Sequence, residues 1–283
     1  MKKIVLLIIA FFMIRFTDFT VYAEDIRFTV IDGTVTVTGV DGDPEIIDIP
    51  PEYNGAPVVE IRDNAFYKCS SLKSISLPDS VKKMGHHCFF GCDSLEQIII
   101  PDGVSEIGMG CFEGCSALNN AVLPENLAIL PDSCFRGCAS LSSVTLPQSV
   151  TEIQDFCFAG CSGLSDVSLS GRLIHIGNLA FFGCPLVQKI YIPGSVESIG
   201  TQALGYGSDG AFSGYSITGT PGSAAEKYAA ENGFLFLEEP ETKDAFAPQN
   251  SRNAPVRLPE IFIFAGLFFL IMAIISAFRN HKN

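Results

Sequence analysis

The residues with the most chemical potential in this sequence are its ten cysteines, and all of them fall on one lattice. Cysteine could bind zinc, form disulfides or act as a nucleophile. One series recurs every 23 residues: Cys69, Cys92, Cys115, Cys138, Cys161 and Cys184. A second series precedes it by four residues: Cys88, Cys111, Cys134 and Cys157. A fixed period of this size predicts a solenoid built from stacked repeats rather than a catalytic cluster.

Metal binding and catalysis have little support. Four possible zinc ligands lie close together in the sequence: His86, His87, Cys88 and Cys92. However, adjacent histidines project in opposite directions on an extended strand, and both cysteines belong to the lattice. The remaining histidine near the repeats, His175, lies in no nucleophile or metal motif. We therefore expect no metal, no cofactor and no enzymatic activity.

The cysteines leave two interpretations open. In an exported protein they could form disulfides between neighbouring repeats, although side chains that point the same way give poor geometry for that bond. Alternatively, each is a small buried core residue. Alanine stands in the column of Cys88 to Cys157 at Ala65, Ala180 and Ala203, which favours the buried thiol.

Other columns share the 23-residue period and predict the element that carries them. A phenylalanine column precedes the 69-to-184 cysteines: Phe66, Phe89, Phe112, Phe135, Phe158 and Phe181. In the segment L-x-x-I-x-L the last two apolar positions alternate as in a half-buried strand, and proline then ends the strand. A second apolar stretch returns along an opposite wall, phenylalanine and cysteine fill the interior, and a Gly-Cys segment turns the chain. The predicted fold is a β-rich right-handed coil of about seven rungs with short helical turns.

The same residues carry a family resemblance. Segments such as DNAFYKCSSLKSISLPDSV resemble the BspA-like, Treponema-type leucine-rich repeats of bacterial surface proteins. The opening segment, residues 47–66, is similar to the usual first repeat of that family. The resemblance implies a curved solenoid that binds other proteins. It carries over no particular partner.

Both ends of the solenoid have predicted caps. Alternating apolar residues around Asp32-Gly33 predict a β-hairpin within residues 24–40, which would cover the first rung. The solenoid with its closing segment is expected over residues 41–237. That closing segment contains a short helix from Ala224 to Asn232, which ends at Gly233, and then a strand.

The termini predict export and anchoring. Residues 1–23 have the basic start, apolar run and small-residue end of a signal peptide. Residues 238–259 are proline-rich and predict an extended stalk, and residues 260–278 are apolar enough for a transmembrane helix. Residues 279–283 would be a short basic cytoplasmic tail. Leu258-Pro259-Glu260 also has the layout of a sortase signal, but Ile261 stands where threonine is needed, which favours a plain membrane anchor.

The charge of the chain excludes one class of partner. Between residues 24 and 257 there are 13 Lys/Arg and 29 Asp/Glu, a net charge of −16. Such a surface disfavours nucleic acid, whose phosphates need a basic partner. It is compatible with protein partners that carry basic patches.

A protein partner is expected to bind outward positions of the first strand of each repeat. The candidate residues are Ile99, Val122, Thr145 and Tyr191 in one column, and Gln97, Asn120 and Lys189 in the other. β-branched residues also simply suit strands, so this pattern has a purely structural explanation as well. A second candidate surface follows each core phenylalanine, where Tyr67, Phe90 and Phe182 alternate with Glu113, Arg136 and Ala159.

Two functions are compatible with these features. The first is a membrane-anchored adhesin or recognition protein, with its solenoid outside a bacterial cell, that binds host or neighbouring-cell proteins. The alternative is a structural scaffold of the cell envelope.

Overall fold

The computed structural model describes residues 20–21 and 25–239, all within one compact unit. The elements are β1 (Thr20–Val21), β2 (Ile26–Ile31), β3 (Thr34–Val40), β4 (Ile46–Asp48), β5 (Glu52–Tyr53), β6 (Ala56–Ile61), β7 (Ser74–Ser76), β8 (Lys83–Met84), β9 (Gln97–Ile99), β10 (Glu106–Ile107), β11 (Asn120–Val122), β12 (Ile129–Leu130), β13 (Ser143–Thr145), β14 (Glu152–Ile153), β15 (Asp166–Ser168), β16 (His175–Ile176), β17 (Lys189–Ile192), β18 (Ser198–Ile199), β19 (Tyr206–Gly207), β20 (Gly210–Ala211), β21 (Ser216–Gly219), α1 (Ala224–Asn232) and β22 (Leu235–Glu238). The chain coils between two walls of short parallel strands.

The first wall, here called the ladder wall, contains β4, the odd-numbered strands from β7 to β17, β21 and β22. Its strands pair in parallel and in register, so that residues of one column lie side by side. The second wall, the return wall, contains β3, the even-numbered strands from β6 to β18, and the flanking strand β2. Each turn of the coil contributes one strand to each wall.

The coil has about nine turns, not the predicted seven. The two additional ladder strands are β4 at the beginning and β22 at the end. Both lie where the sequence lacks the phenylalanine–cysteine pattern, so counting that pattern missed them. The predicted short helical turns are not α-helices: the strands of the repeats are joined by turns, and α1 is the only α-helix among the described residues.

Six phenylalanine rings, from Phe66 to Phe181, form a continuous stack along the core. Their neighbouring centroids are 5.1 to 5.5 Å apart, and their planes are within about 17° of parallel. Each ring is at most 1% exposed. Stacking one repeat on the next therefore buries aromatic surface that no single repeat could bury alone.

A third hydrogen-bond ladder runs through the turns that contain these rings, here called the Phe turns. Phe66 N–H donates to Cys88 O at 2.8 Å, and the same bond recurs at each step, as from Phe89 N–H to Cys111 O. Two backbone positions of each Phe turn have positive φ. The first column is Asn64, His87, Gly110, Ser133, Phe156, Leu179 and Gln202, and the second begins at Lys68 and continues with glycine from Gly91 to Gly183.

Both ends of the solenoid are capped. The predicted hairpin forms, with β2 antiparallel to β3 and β3 parallel to β6. At the other end α1 begins and ends as predicted, and Gly233 ends it in the left-handed conformation. Tyr228 on α1 accepts a hydrogen bond from Leu204 N–H and donates one to Leu204 O, which fixes the helix to the last Phe turn.

The predicted stalk lies outside the described residues except for Glu238, which ends β22, and Glu239. The predicted transmembrane helix and tail lie outside them entirely, as does the signal peptide except for β1. Within residues 25–239 no helix is long and apolar enough to cross a membrane.

Candidate binding surface on the ladder wall

The predicted apolar pair on the ladder wall is assembled by direct strand pairing. β9 and β11 align in parallel, so Ile99 lies opposite Val122 and Gln97 lies opposite Asn120. The Ile99 side chain is 44% exposed, and Val122 is partly exposed. The intervening residue Ile98 is buried, as the alternation of a strand requires. An exposed apolar pair with flanking amides therefore exists at this position.

The ladder wall is poor in charge although the protein is strongly acidic. Its outward positions, from β4 to β22, are Ile46, Ser74, Gln97, Asn120, Ser143, Asp166, Lys189, Ser216 and Leu235 in one column, and Asp48, Ser76, Ile99, Val122, Thr145, Ser168, Tyr191, Thr218 and Leu237 in the other. Only Asp48, Asp166 and Lys189 carry charge among them. Depletion of charge is what distinguishes the centre of a protein interface from the remaining surface.

Tyr191 and Lys189 do not join the Ile99–Val122 pair. They lie on β17, about 19 Å along the wall from β9 if each rung adds about 4.8 Å. The Tyr191 hydroxyl donates to Glu239 Oε2 at 2.9 Å. Burial and this carboxylate raise the pKa of Tyr191 to about 12. Tyr191 is thus a neutral, anchored hydrogen-bond donor next to the end of the solenoid.

Thr145 occupies the predicted column but belongs to another short sheet. It lies on β13, where it pairs with Ser168 of β15. Thr145 is exposed and Ser168 partly exposed. The middle of the ladder wall is therefore a hydroxyl-rich surface between the apolar pair and Tyr191.

Two exposed leucines extend the ladder columns beyond the predicted site. Leu235 is 58% exposed and pairs with Ser216, and Leu237 is 45% exposed and pairs with Thr218. The alternation of Phe234 to Leu237 predicts a strand. The repeat pattern, however, has already ended there, so no repeat column predicted the position of these leucines on the ladder wall.

The second predicted surface divides into separate clusters. Tyr67 stacks on Phe90 with 4.9 Å between ring centroids, and the Lys68 ammonium lies 5.4 Å from the Tyr67 ring. Further along, Arg136 lies over Phe156 and is 3.6 Å from Glu113. Ala159 is buried, and Phe182 is partly exposed. The aromatic and charged side chains of this surface already contact one another, so fewer of them are available to a partner than on the ladder wall.

All ten cysteines are buried free thiols in this structure. Thiols of the 69-to-184 series donate to the carbonyl of the phenylalanine in the preceding repeat, as from Cys115 Sγ to Phe89 O at 3.1 Å. In the other series, Cys88 Sγ contacts Cys111 Sγ at 3.2 Å. Burial raises the pKa of Cys69 to about 12 and that of Cys134 well above its usual value. Such thiols are poor nucleophiles and poor metal ligands.

The two adjacent histidines have structural partners of their own. Met109 N–H donates to His86 Nδ1 at 3.0 Å, and the His87 ring packs edge-on against Phe90 at 5.7 Å. Cys88 and Cys92 are completely buried. The four side chains considered for zinc therefore do not converge on one point.

Together, the in-register ladder, the phenylalanine stack and the exposed strand face define a leucine-rich-repeat solenoid. The family model described as BspA type leucine rich repeat region matches six copies, over residues 54–150 and 128–209. The chain belongs to this family.

Solved structures agree with this assignment. The chain is similar to a leucine-rich repeat protein of T. pallidum, at 26% identity with a TM-score of 0.59, over 77% of this chain and 98% of that one. A leucine-rich repeat protein of Eubacterium ventriosum matches at 23% identity with a TM-score of 0.55, over 66% of this chain and about half, 51%, of that one. Among curated proteins no sequence matches.

Proposed function

We propose that this protein is a surface-displayed protein-binding module whose ladder wall contacts the partner. The observation that carries the proposal is the charge-poor ladder wall of an acidic molecule, with the exposed Ile99 beside Val122. Large apolar side chains surrounded by neutral polar groups are typical of the energetic centre of a protein interface. Family membership supports the proposal because leucine-rich repeat solenoids commonly bind proteins.

We further propose that the solenoid is displayed outside a bacterial cell and held by residues 260–278. The sequence of the two termini supports this placement. In that location the module would act as an adhesin or recognition protein for proteins of a host or a neighbouring cell. A scaffold that holds envelope proteins of the same cell together would use the same surface.

The experiment replaces Ile99 and Val122 with serine in the full chain and measures binding to candidate partner cells and to proteins of its own envelope. Serine keeps the strand surface regular and removes most of the exposed apolar area. We expect at least a tenfold loss of affinity. Ile129→Ser is the matched control, because Ile129 is 41% exposed on the return wall. Equal binding by the double variant and the control would contradict the proposal.

The identity of the bound protein separates the two functions. Binding to proteins of another cell, sensitive to the Ile99 and Val122 changes, would support recognition. Binding with the same sensitivity to an envelope protein of the producing cell would support the scaffold.

A further inference from the structure

The two ends of the ladder wall differ in how their last strand is covered. At the C-terminal end β22 pairs with β21 and is the edge of its sheet within the part of the chain that the structure describes. At the N-terminal end β4 pairs with β7 on one side and with β1 on the other. β1 is Thr20–Val21, which lies within the predicted signal peptide. Removal of residues 1–23 would therefore leave the backbone of β4 unpaired on that side.

The return wall has the opposite arrangement. At the N-terminal end it extends one strand further, because β2 pairs with β3 and belongs to the part of the chain that follows the predicted cleavage site. At the C-terminal end, α1 packs after β18 and β22 then adds a strand to the ladder wall alone. Among its described residues, a processed chain would thus have one ladder strand with an unpaired edge at each end, β4 at the N-terminal end and β22 at the C-terminal end.

The side chains at the two ends are compatible with one continuous ladder. The pairing of β1 shows that the β4 edge accepts a parallel strand, with Thr20 opposite Ile46 and Val21 opposite Ile47. If β22 took that position, Leu235 would lie opposite Ile46 and Phe236 opposite Ile47. Ile47 is buried and Phe236 packs against the core, so both point inward, whereas Leu235 and Ile46 point outward. Apolar residues would then meet apolar residues at these two positions, and Leu237 would lie opposite Asp48.

We propose that, after removal of residues 1–23, β22 of one copy occupies the position of β1 beside β4 of another copy, so that processed chains associate head to tail. An exposed edge strand is a template for pairing with a further strand. Because the two surfaces differ, the contact is heterologous and does not close on itself in a pair. The proposal depends on cleavage near Ala23 and is independent of the partner bound by the ladder wall.

Engineered cysteines test the contact directly. One preparation of the full processed chain, solubilised in mild detergent, carries Leu235→Cys and a second carries Ile46→Cys. Paired strands place such residues about 4.8 Å apart and facing the same way, so a short bifunctional thiol crosslinker can join them without the strict geometry of a disulfide. The natural thiols are buried and should not compete. Mass spectrometry of each preparation establishes that the chain begins after the cleavage site.

We expect the mixture to form a covalent heterodimer when it is treated with this crosslinker. As a control, Val30→Cys takes the place of Ile46→Cys in the mixture. Val30 is 47% exposed on β2 at the same end of the molecule, and no heterodimer should form. A chain with Ala23→Arg, which blocks cleavage and keeps β1, should give at least tenfold less product. Because both copies carry a strong net negative charge, added salt should raise the yield.

Three results would overturn the proposal. These are a chain that keeps its leader, a yield with Ile46→Cys no higher than with Val30→Cys, and an equal yield from the uncleaved variant. Loss of partner binding by the Ile99 and Val122 variant would not affect this measurement.

Discussion

At the residue scale, the two cysteine columns have different surroundings although they look equivalent in the sequence. Thiols such as Cys115 donate a hydrogen bond to a phenylalanine carbonyl. Cys157 belongs to the other column, in which alanine also occurs, as at Ala180. The hydrogen bond gives a reason for the stricter recurrence of cysteine in the 69-to-184 series. A shared need for a small apolar residue explains the looser column.

Replacing Cys115 with alanine should lower the free energy of unfolding by about 2 kcal/mol, because a hydrogen bond is lost and a small cavity is left. Cys134→Ala, in the other column, is the matched control and should cost about 1 kcal/mol, since that fully buried site creates only the cavity. Urea denaturation at constant m-value measures both. Equal losses would show that the thiol–carbonyl bond contributes nothing.

Alkaline pH should destabilise the fold, because it ionises thiol and phenol groups that the folded protein keeps neutral. Burial raises the pKa of Cys69 from 9.0 to about 12, and burial with the Glu239 contact raises that of Tyr191 from 10.0 to about 12. A raised folded-state pKa means that the stabilisation is complete below the unfolded value and is lost as pH rises through the folded value. We expect the free energy of unfolding to fall from about pH 9 to about pH 12. A flat profile over that range, measured by urea denaturation, would contradict this.

At the scale of the element, each Phe turn depends on two left-handed backbone positions. Glycine fills most of the second column, but the first holds residues as different as Phe156, Leu179 and Gln202. A left-handed non-glycine residue costs about 1 to 2 kcal/mol. The backbone hydrogen bonds between neighbouring Phe turns must offset that cost at every repeat.

Gly137→Ala should lower the free energy of unfolding by about 1 to 2 kcal/mol through backbone strain alone. A Cβ at this position would lie 3.7 Å from Gly114 Cα, so there is space for it. Gln202→Asn is the counterpart and should raise stability by up to about 1 kcal/mol, because asparagine tolerates the left-handed region and exposed Gln202 loses little packing. Thermal unfolding checks both signs. A stabilising Gly137→Ala would refute this account of the turn.

The repeat columns predict the walls, the phenylalanine stack and both caps, because burial and strand alternation leave a periodic trace in the sequence. The left-handed column escaped prediction, since its residues share a conformation but no chemical type, and Gly110 alone hints at it. The Tyr191–Glu239 bond also escaped prediction, because it joins the repeat strand β17 to a residue of the predicted stalk. In the candidate site, the parallel register of β9 and β11 places Ile99 beside Val122 as expected. The distance from this pair to Tyr191 is set by the number of rungs between β11 and β17.

At the scale of the whole molecule, stability is distributed along the phenylalanine stack, in which each repeat contacts only its neighbours. Phe112→Ala in the middle of the stack should cost about 3 to 5 kcal/mol, because two ring contacts are lost and a large cavity remains. Phe112→Leu keeps most of the volume and should cost clearly less. Denaturant unfolding with hydrogen exchange would locate the damage, and a loss confined to the C-terminal cap would contradict this account.

The charge distribution of the whole molecule assigns different roles to its surfaces. The chain has a strong excess of acidic residues, whereas the ladder wall is nearly neutral, with Asp48, Asp166 and Lys189 as its charged outward residues. The acidic remainder keeps the solenoid soluble and disfavours nucleic acid. The ladder wall is the part of the described surface best suited to a protein partner.

The most direct test of that claim is photo-crosslinking of the full chain on intact cells in the presence of its natural neighbours. A photoreactive residue replaces Ile99 on the ladder wall in one variant and Ile129 on the return wall in the other, two sites of similar exposure at 44% and 41%. We predict one discrete crosslinked protein from position 99 that is absent from position 129 and is lost when Val122 is also changed to serine. Equal crosslinking from both walls, or crosslinking from position 129 alone, would contradict the assignment of the ladder wall as the binding surface.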